Sequence, residues 1–217
     1  EVSPMLARHS ASITLNGDLF ARIDTLYQNR ADLDLSEQQA RLLEVTHDQF
    51  VRAGAQLGEE ERARYAEIRS ELATLYTQFS QNELGDRESW YMELPEGALE
   101  DLPASMVSAA RAAARARDMD GAIITLDRSS VEPFLETSPD RELRERAWRG
   151  FYNRGNNDNE FNNNQLIRDI LVLRQEQAQL LGFESWAHYR TAGTMAETPE
   201  AAIDLMEQVW WPARQRA

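Results

Sequence analysis

The sequence predicts a mainly α-helical fold, above roughly 60% helix against the third typical of globular proteins, with one small two-stranded antiparallel ribbon. Three observations predict it. Apolar residues recur at spacings of three and four along most of the 217 residues. Helix-capping residues stand where those runs begin. Only two segments, Trp90–Leu94 and Ala122–Asp127, change to the β-branched and aromatic composition of strands.

Ser3-Pro4 reads as an N-cap followed by Pro at the first helical position, where a missing N–H costs nothing. Leu19, Phe20, Ile23, Leu26 and Tyr27 then make one apolar face. Ser36 with Gln39 forms a capping box that opens a helix carrying Leu42, Leu43, Thr46 and Phe50, with Gly54 as its stop. From Glu59 the chain reads as one long helix through Tyr65, Ile68, Leu72, Leu75 and Phe79. Glu59, Glu60 and Glu61 suit its start, where carboxylates meet the positive end of the dipole.

The first strand segment ends at the turn signal Pro95-Glu96-Gly97. An Ala-rich helix from about Pro103 to Arg117 separates it from the second. The two strands can pair across that helix, and because an isolated ribbon is marginal in water it must pack on helices. Helix is expected again from Ser138-Pro139 to Arg154, with Leu143, Ala147 and Phe151 inward. A polar loop, Asn153 to Asn164, leads to a long helix with Leu166, Ile167, Ile170, Leu173, Leu180 and Leu181 that stops at Gly182. A short helix holds Trp186 and Tyr189, and Thr198-Pro199 opens the last. No fixed-period repeat and no Pro-, Gly- or Ser-rich linker interrupts the chain, so residues 1–217 read as a single helical lobe with a soft joint near 85–90.

Composition narrows the function. Hydrophobic residues at 42% describe a globular chain. A net charge of −14 argues against nucleic acid or an anionic membrane as partner, since both demand a basic surface. No apolar run approaches the ~20 residues of a membrane span, and Glu1-Val2-Ser3-Pro4 has no signal-peptide pattern. The absence of Cys excludes disulfides and thiolate metal sites and fits a cytoplasmic protein. The chain lacks an initiator Met, and Thr198 to Ala217 keeps a helical pattern to the end, so it reads as a fragment of a longer protein.

Residues that could carry chemistry are few. His9, His47 and His188 stand far apart in sequence, and no His-Glu dipeptide occurs. A zinc peptidase helix needs H-E-x-x-H, two imidazoles one turn apart with a Glu to activate the metal-bound water. Each histidine therefore reads as a packing or surface residue. Asn156-Asn157-Asp158-Asn159-Glu160 is rich in oxygen ligands but lacks the Gly and terminal Glu of a calcium loop, and reads as a loop with Asx turns. No G-x-S-x-G and no phosphate-cradling glycine loop occurs. No residue is assigned a catalytic, cofactor-binding or metal-ligating role, and no metal is expected to bind this chain.

Several strings nonetheless resemble the thimet-oligopeptidase family of zinc peptidases, most of all its bacterial peptidyl-dipeptidase branch. They include Ser3-Pro4-Met5-Leu6-Ala7-Arg8-His9-Ser10, Phe50-Val51-Arg52-Ala53-Gly54-Ala55 and Leu75-Tyr76-Thr77-Gln78-Phe79-Ser80-Gln81-Asn82. Glu132-Pro133-Phe134-Leu135 with Asp140-Arg141-Glu142-Leu143-Arg144-Glu145, and Ala178-Gln179-Leu180-Leu181-Gly182-Phe183 with Ala187-His188-Tyr189, match in the same order. The resemblance implies a lobe of a helical clamshell whose deep channel admits short peptides. It implies zinc in the parent enzyme, held by a helix beyond the matching segment, and release of C-terminal dipeptides by the intact protein. This chain would then be a wall of the channel without catalytic groups. The alternative is a stand-alone helical peptide-binding or interaction module. In either case Ile203, Met206, Val209, Trp210 and Trp211 crowd the final helix, and such a patch favours a homodimer unless it folds back onto the chain's own helices.

Overall fold

A computed structural model describes His9 and residues 12–216. The helix start at Ser3-Pro4 lies outside the described residues. Helix accounts for 70% of the structure and one two-stranded antiparallel sheet for its β content, the mainly α class that the periodicity predicts. The chain divides into two compact units, Glu1–Glu71 with Leu171–Ala217, and Leu72–Ile170.

In the first unit, α1 (Gly17–Gln28) starts at Asn16, whose side chain accepts the Leu19 N–H at 2.9 Å. Of its apolar face only Phe20 is buried, stacked on Phe50 of α2 (Glu37–Arg52), while Leu19 and Leu26 stay exposed. The capping box opens α2 as expected: Gln39 N–H donates to Ser36 Oγ, and Ser36 N–H donates back to Gln39 Oε1. Gly54 ends it at φ +94°, with Ala55 N–H bonded to the Phe50 carbonyl and Gly54 N–H to that of Val51. This Schellman closure needs a left-handed residue that glycine adopts without strain. The 31-residue α3 (Glu59–Ser89) begins in this unit. So does the close of α8 (Asn164–Leu180), where Gly182 at φ +78° repeats the same closure through Phe183 and Ala178. Arg64 of α3 forks the Glu176 carboxylate of α8 at 2.6 and 2.8 Å. The short α9 (Trp186–Thr191) and α10 (Pro199–Arg216) complete the unit, and α10 has no buried residue.

The second unit carries the larger core. Strand β1 (Tyr91–Glu93) pairs antiparallel with β2 (Ile123–Thr125), Met92 opposite Ile124, and Leu94 N–H extends the ladder to the Ala122 carbonyl. Both lie within the segments expected, trimmed by a residue or two. Between them, a one-turn helix α4 (Glu96–Leu99) stands where only a turn was expected, with Pro95 as its extended N-cap at φ −64° and ψ 148°. The Ala-rich α5 (Ala104–Arg115) follows.

One helix was not anticipated. Residues Arg128–Thr137 form α6 with Pro133 inside it. An interior proline costs about 3 kcal/mol through a lost hydrogen bond and a clash, so local propensity opposes a helix here. Val131 and Phe134, both completely buried against Met92, Ile124 and Leu143, supply the compensating burial. Consequently Ser138 closes α6 rather than opening the next helix. Asp140 is the true N-cap of α7 (Arg141–Tyr152), accepting the N–H groups of Glu142 and Leu143. Leu143 and Ala147 face inward as predicted, with Phe151 half-buried beside them.

Candidate functional site

The three histidines do separate things. His9 is exposed. His47 is buried, stacked on Tyr27 at 3.9 Å, with Nε2 3.0 Å from Asp24 Oδ1. Because a carboxylate only accepts, Nε2 carries the proton. His47 thus joins α2 to α1. Asp24 in turn is held below the usual carboxylate range, first by the hydrogen bond from Gln28 and then by that from His47. His188 sits at the start of α9, its Nδ1 2.8 Å from the capping Ser185 Oγ and its Nε2 3.7 Å from Glu184 and Glu200. Among the described residues no group of three His, Cys, Asp or Glu side chains could hold a metal ion. The donor set that zinc requires therefore does not assemble on them.

The Asn-rich loop has a structural explanation. Asp86, almost fully buried on α3, accepts Gly155 N–H at 2.8 Å, Asn157 Nδ2 at 2.7 Å and Asn159 Nδ2 at 2.8 Å. Asn159 and Asn162 each accept a backbone N–H two residues ahead, the Asx turns expected of this segment. The amides point at a carboxylate rather than at a cation.

A more promising feature lies wholly in the first unit. A cleft of about 620 Å3 is walled by α2, α3, α8 and α9 and lined by Arg41, Arg52, Arg69 and Arg190 against a single acid, Asp48. Arg52 donates to the Tyr189 carbonyl at 2.7 Å and the Ala192 carbonyl at 3.3 Å, closing the C-terminal end of α9. A Cβ at Gly193 would overlap Arg52 Nη1, so a larger residue there would make the Arg52 side chain shift. Arg52 also lies 5.2 Å over the Tyr189 ring, and Arg69 5.9 Å over the Tyr65 ring. Tyr65 is buried, which pushes its phenol above the ordinary tyrosine range, while Gln177 donates to its oxygen. Trp186 and Tyr189, with centroids 5.2 Å apart, form an apolar wall. Sequence reasoning named Trp186, His188 and Tyr189 but missed the arginines, since Arg41, Arg52, Arg69 and Arg190 share no local pattern.

The sequence of peptidase family M3 matches residues 134–216, from Phe134 in α6 to Arg216 at the end of α10. The dipeptidyl carboxypeptidase of Salmonella typhimurium is 35% identical over 216 residues, covering 99% of this chain and 32% of that protein. The chain belongs to peptidase family M3. Oligopeptidase A of Escherichia coli is 31% identical over 97% of the chain and 32% of its own length. A probable cytosolic oligopeptidase A of Arabidopsis thaliana is 32% identical over 83% of the chain and 27% of its own length. The chain thus spans about a third of the length of these M3 relatives. The M3 match includes Trp186, Tyr189 and Arg190, whereas Arg41, Arg52 and Arg69 precede it.

Proposed function

We propose that this chain is a non-catalytic, channel-forming lobe of a zinc-dependent oligopeptidase that hydrolyses short peptides and releases C-terminal dipeptides. The observation that carries the reading is the 35% identity to a dipeptidyl carboxypeptidase along 99% of the chain, at a third of that protein's length. The sequence has no H-E-x-x-H, so the zinc-bearing helix belongs to residues outside 1–217. Bound there, zinc would supply the Lewis acidity for the scissile carbonyl and for an attacking water. The helices of this chain would narrow access to that centre and exclude water from it. Among the described residues no helix is long and apolar enough to cross a membrane. A cytosolic relative supports a cytoplasmic setting.

A quenched-fluorescent peptide assay tests the proposal. The 217-residue chain with added zinc should show no chelator-sensitive cleavage, while the product of the whole gene should release dipeptides from the C-terminus. Zinc-dependent turnover by residues 1–217 alone would overturn the non-catalytic assignment. A gene product ending at Ala217 would instead support the stand-alone module.

The same reading extends to association. On α10, Ile203, Met206, Val209, Trp210 and Trp211 are between 49 and 65% exposed, which supports an apolar face open to a partner. Isolated residues 1–217 would cover this face with a second copy across a two-fold axis.

A further inference from the structure

The arginine cleft has more positive charge than the protein uses. Arg52 is committed to two carbonyls, and Arg41 pairs with Glu44 at 2.5 Å. Arg69 and Arg190 have no ion-pair partner among the described residues, although the chain carries a net charge of −14. Acidic side chains are thus abundant, yet the cleft lining includes only Asp48. Guanidiniums gathered around one concavity repel one another, and a bound anion relieves that repulsion.

Geometry defines the anion further. Two of the four guanidiniums rest over tyrosine rings, which restricts their motion before any ligand arrives. Planar donor forks of this kind match a carboxylate. At about 620 Å3 the cleft exceeds a single ion and suits a small organic molecule. The tilted Trp186–Tyr189 pair offers that molecule an apolar surface. Asp48 disfavours a dianion such as phosphate but can accept an amide N–H.

We propose that this cleft binds the C-terminal carboxylate of a short peptide, Arg69 and Arg190 holding the carboxylate and Trp186 with Tyr189 receiving the last side chain. The carboxylate site follows from the cleft itself. That a peptide carries the carboxylate rests on the peptidase reading above.

The test titrates N-acetyl-glycyl-phenylalanine, as free acid and as C-terminal amide, into the full 217-residue chain by calorimetry, with tryptophan fluorescence alongside. The acid is expected to bind at least tenfold more tightly than the amide, and to weaken as salt is raised. The double variant Arg69→Gln, Arg190→Gln changes two exposed side chains and should unfold at the same urea concentration as the parent while losing the preference for the acid. Equal binding of acid and amide, no binding by the acid, or an unchanged preference in the folded double variant overturns the proposal. Inorganic phosphate is the competing arm, and phosphate binding more tightly than the acid overturns it as well. A whole-gene product without peptidase activity would refute the parent reading, whereas the acid–amide comparison on residues 1–217 judges the cleft independently.

Discussion

The buried carboxylate of Asp86 accepts the backbone N–H of Gly155 at 2.8 Å, joining the interior of α3 to a loop 69 residues further along the chain. Asn157 and Asn159 complete the coordination, so three donors converge on one charge. Gly155 holds φ +69° with the Asn163 side chain 2.9 Å from where a Cβ would stand, which fixes the loop from the other side.

Replacing Asp86 by Ala strands those donors. The expected loss is about 1–3 kcal/mol, chiefly from the buried Gly155 N–H left without an acceptor. Urea unfolding measures it, and the Gly155 amide should lose hydrogen-exchange protection. An unchanged midpoint would show that the loop is held by other contacts.

Gly150→Ala should destabilise the protein even though Ala is the better helix former by about 1 kcal/mol. A Cβ at position 150 of α7 meets the Trp90 ring at 2.6 Å. Overpacking of this kind costs about 1–3 kcal/mol, enough to reverse the gain in propensity. A raised melting temperature would contradict it.

Acid should weaken the first unit by a defined route. Glu176 is held below the ordinary carboxylate range by its hydrogen bonds from Arg64, and Asp24 by those from Gln28 and His47. A depressed folded-state pKa makes the unfolded chain the stronger proton binder, so stability falls as pH falls. The contribution is complete above the ordinary values of 4.5 and 3.8 and is lost progressively below them. Urea midpoints measured from pH 6 to pH 3 should decline less steeply in Glu176→Gln than in the parent chain. Both carboxylates are solvent-exposed, so the difference between the two slopes should be small.

Light scattering over a concentration series should show residues 1–217 passing from monomer to dimer, and Trp210→Ala should shift that transition to higher concentration. A monomer mass at the highest concentration would remove α10 as a self-association surface.

The sequence by itself determined what depends on near neighbours. The Ser36–Gln39 box, the stops at Gly54 and Gly182 and the switch to strand at Met92 and Ile124 are encoded within a few residues and appear where they were read. The exposed apolar run of α10 was legible for the same reason. Tertiary structure decided the rest. Helix α6 forms through Pro133 because Val131 and Phe134 find a core assembled from β1, β2 and α7. Asp86 becomes the centre of a loop numbered in the 150s, and Arg41, Arg69 and Arg190 become neighbours across one cleft. Local pattern records the backbone preference of each segment. Burial and charge proximity arise only when segments distant in sequence meet, and they decide both the helix that local propensity opposes and the cleft that no motif announces.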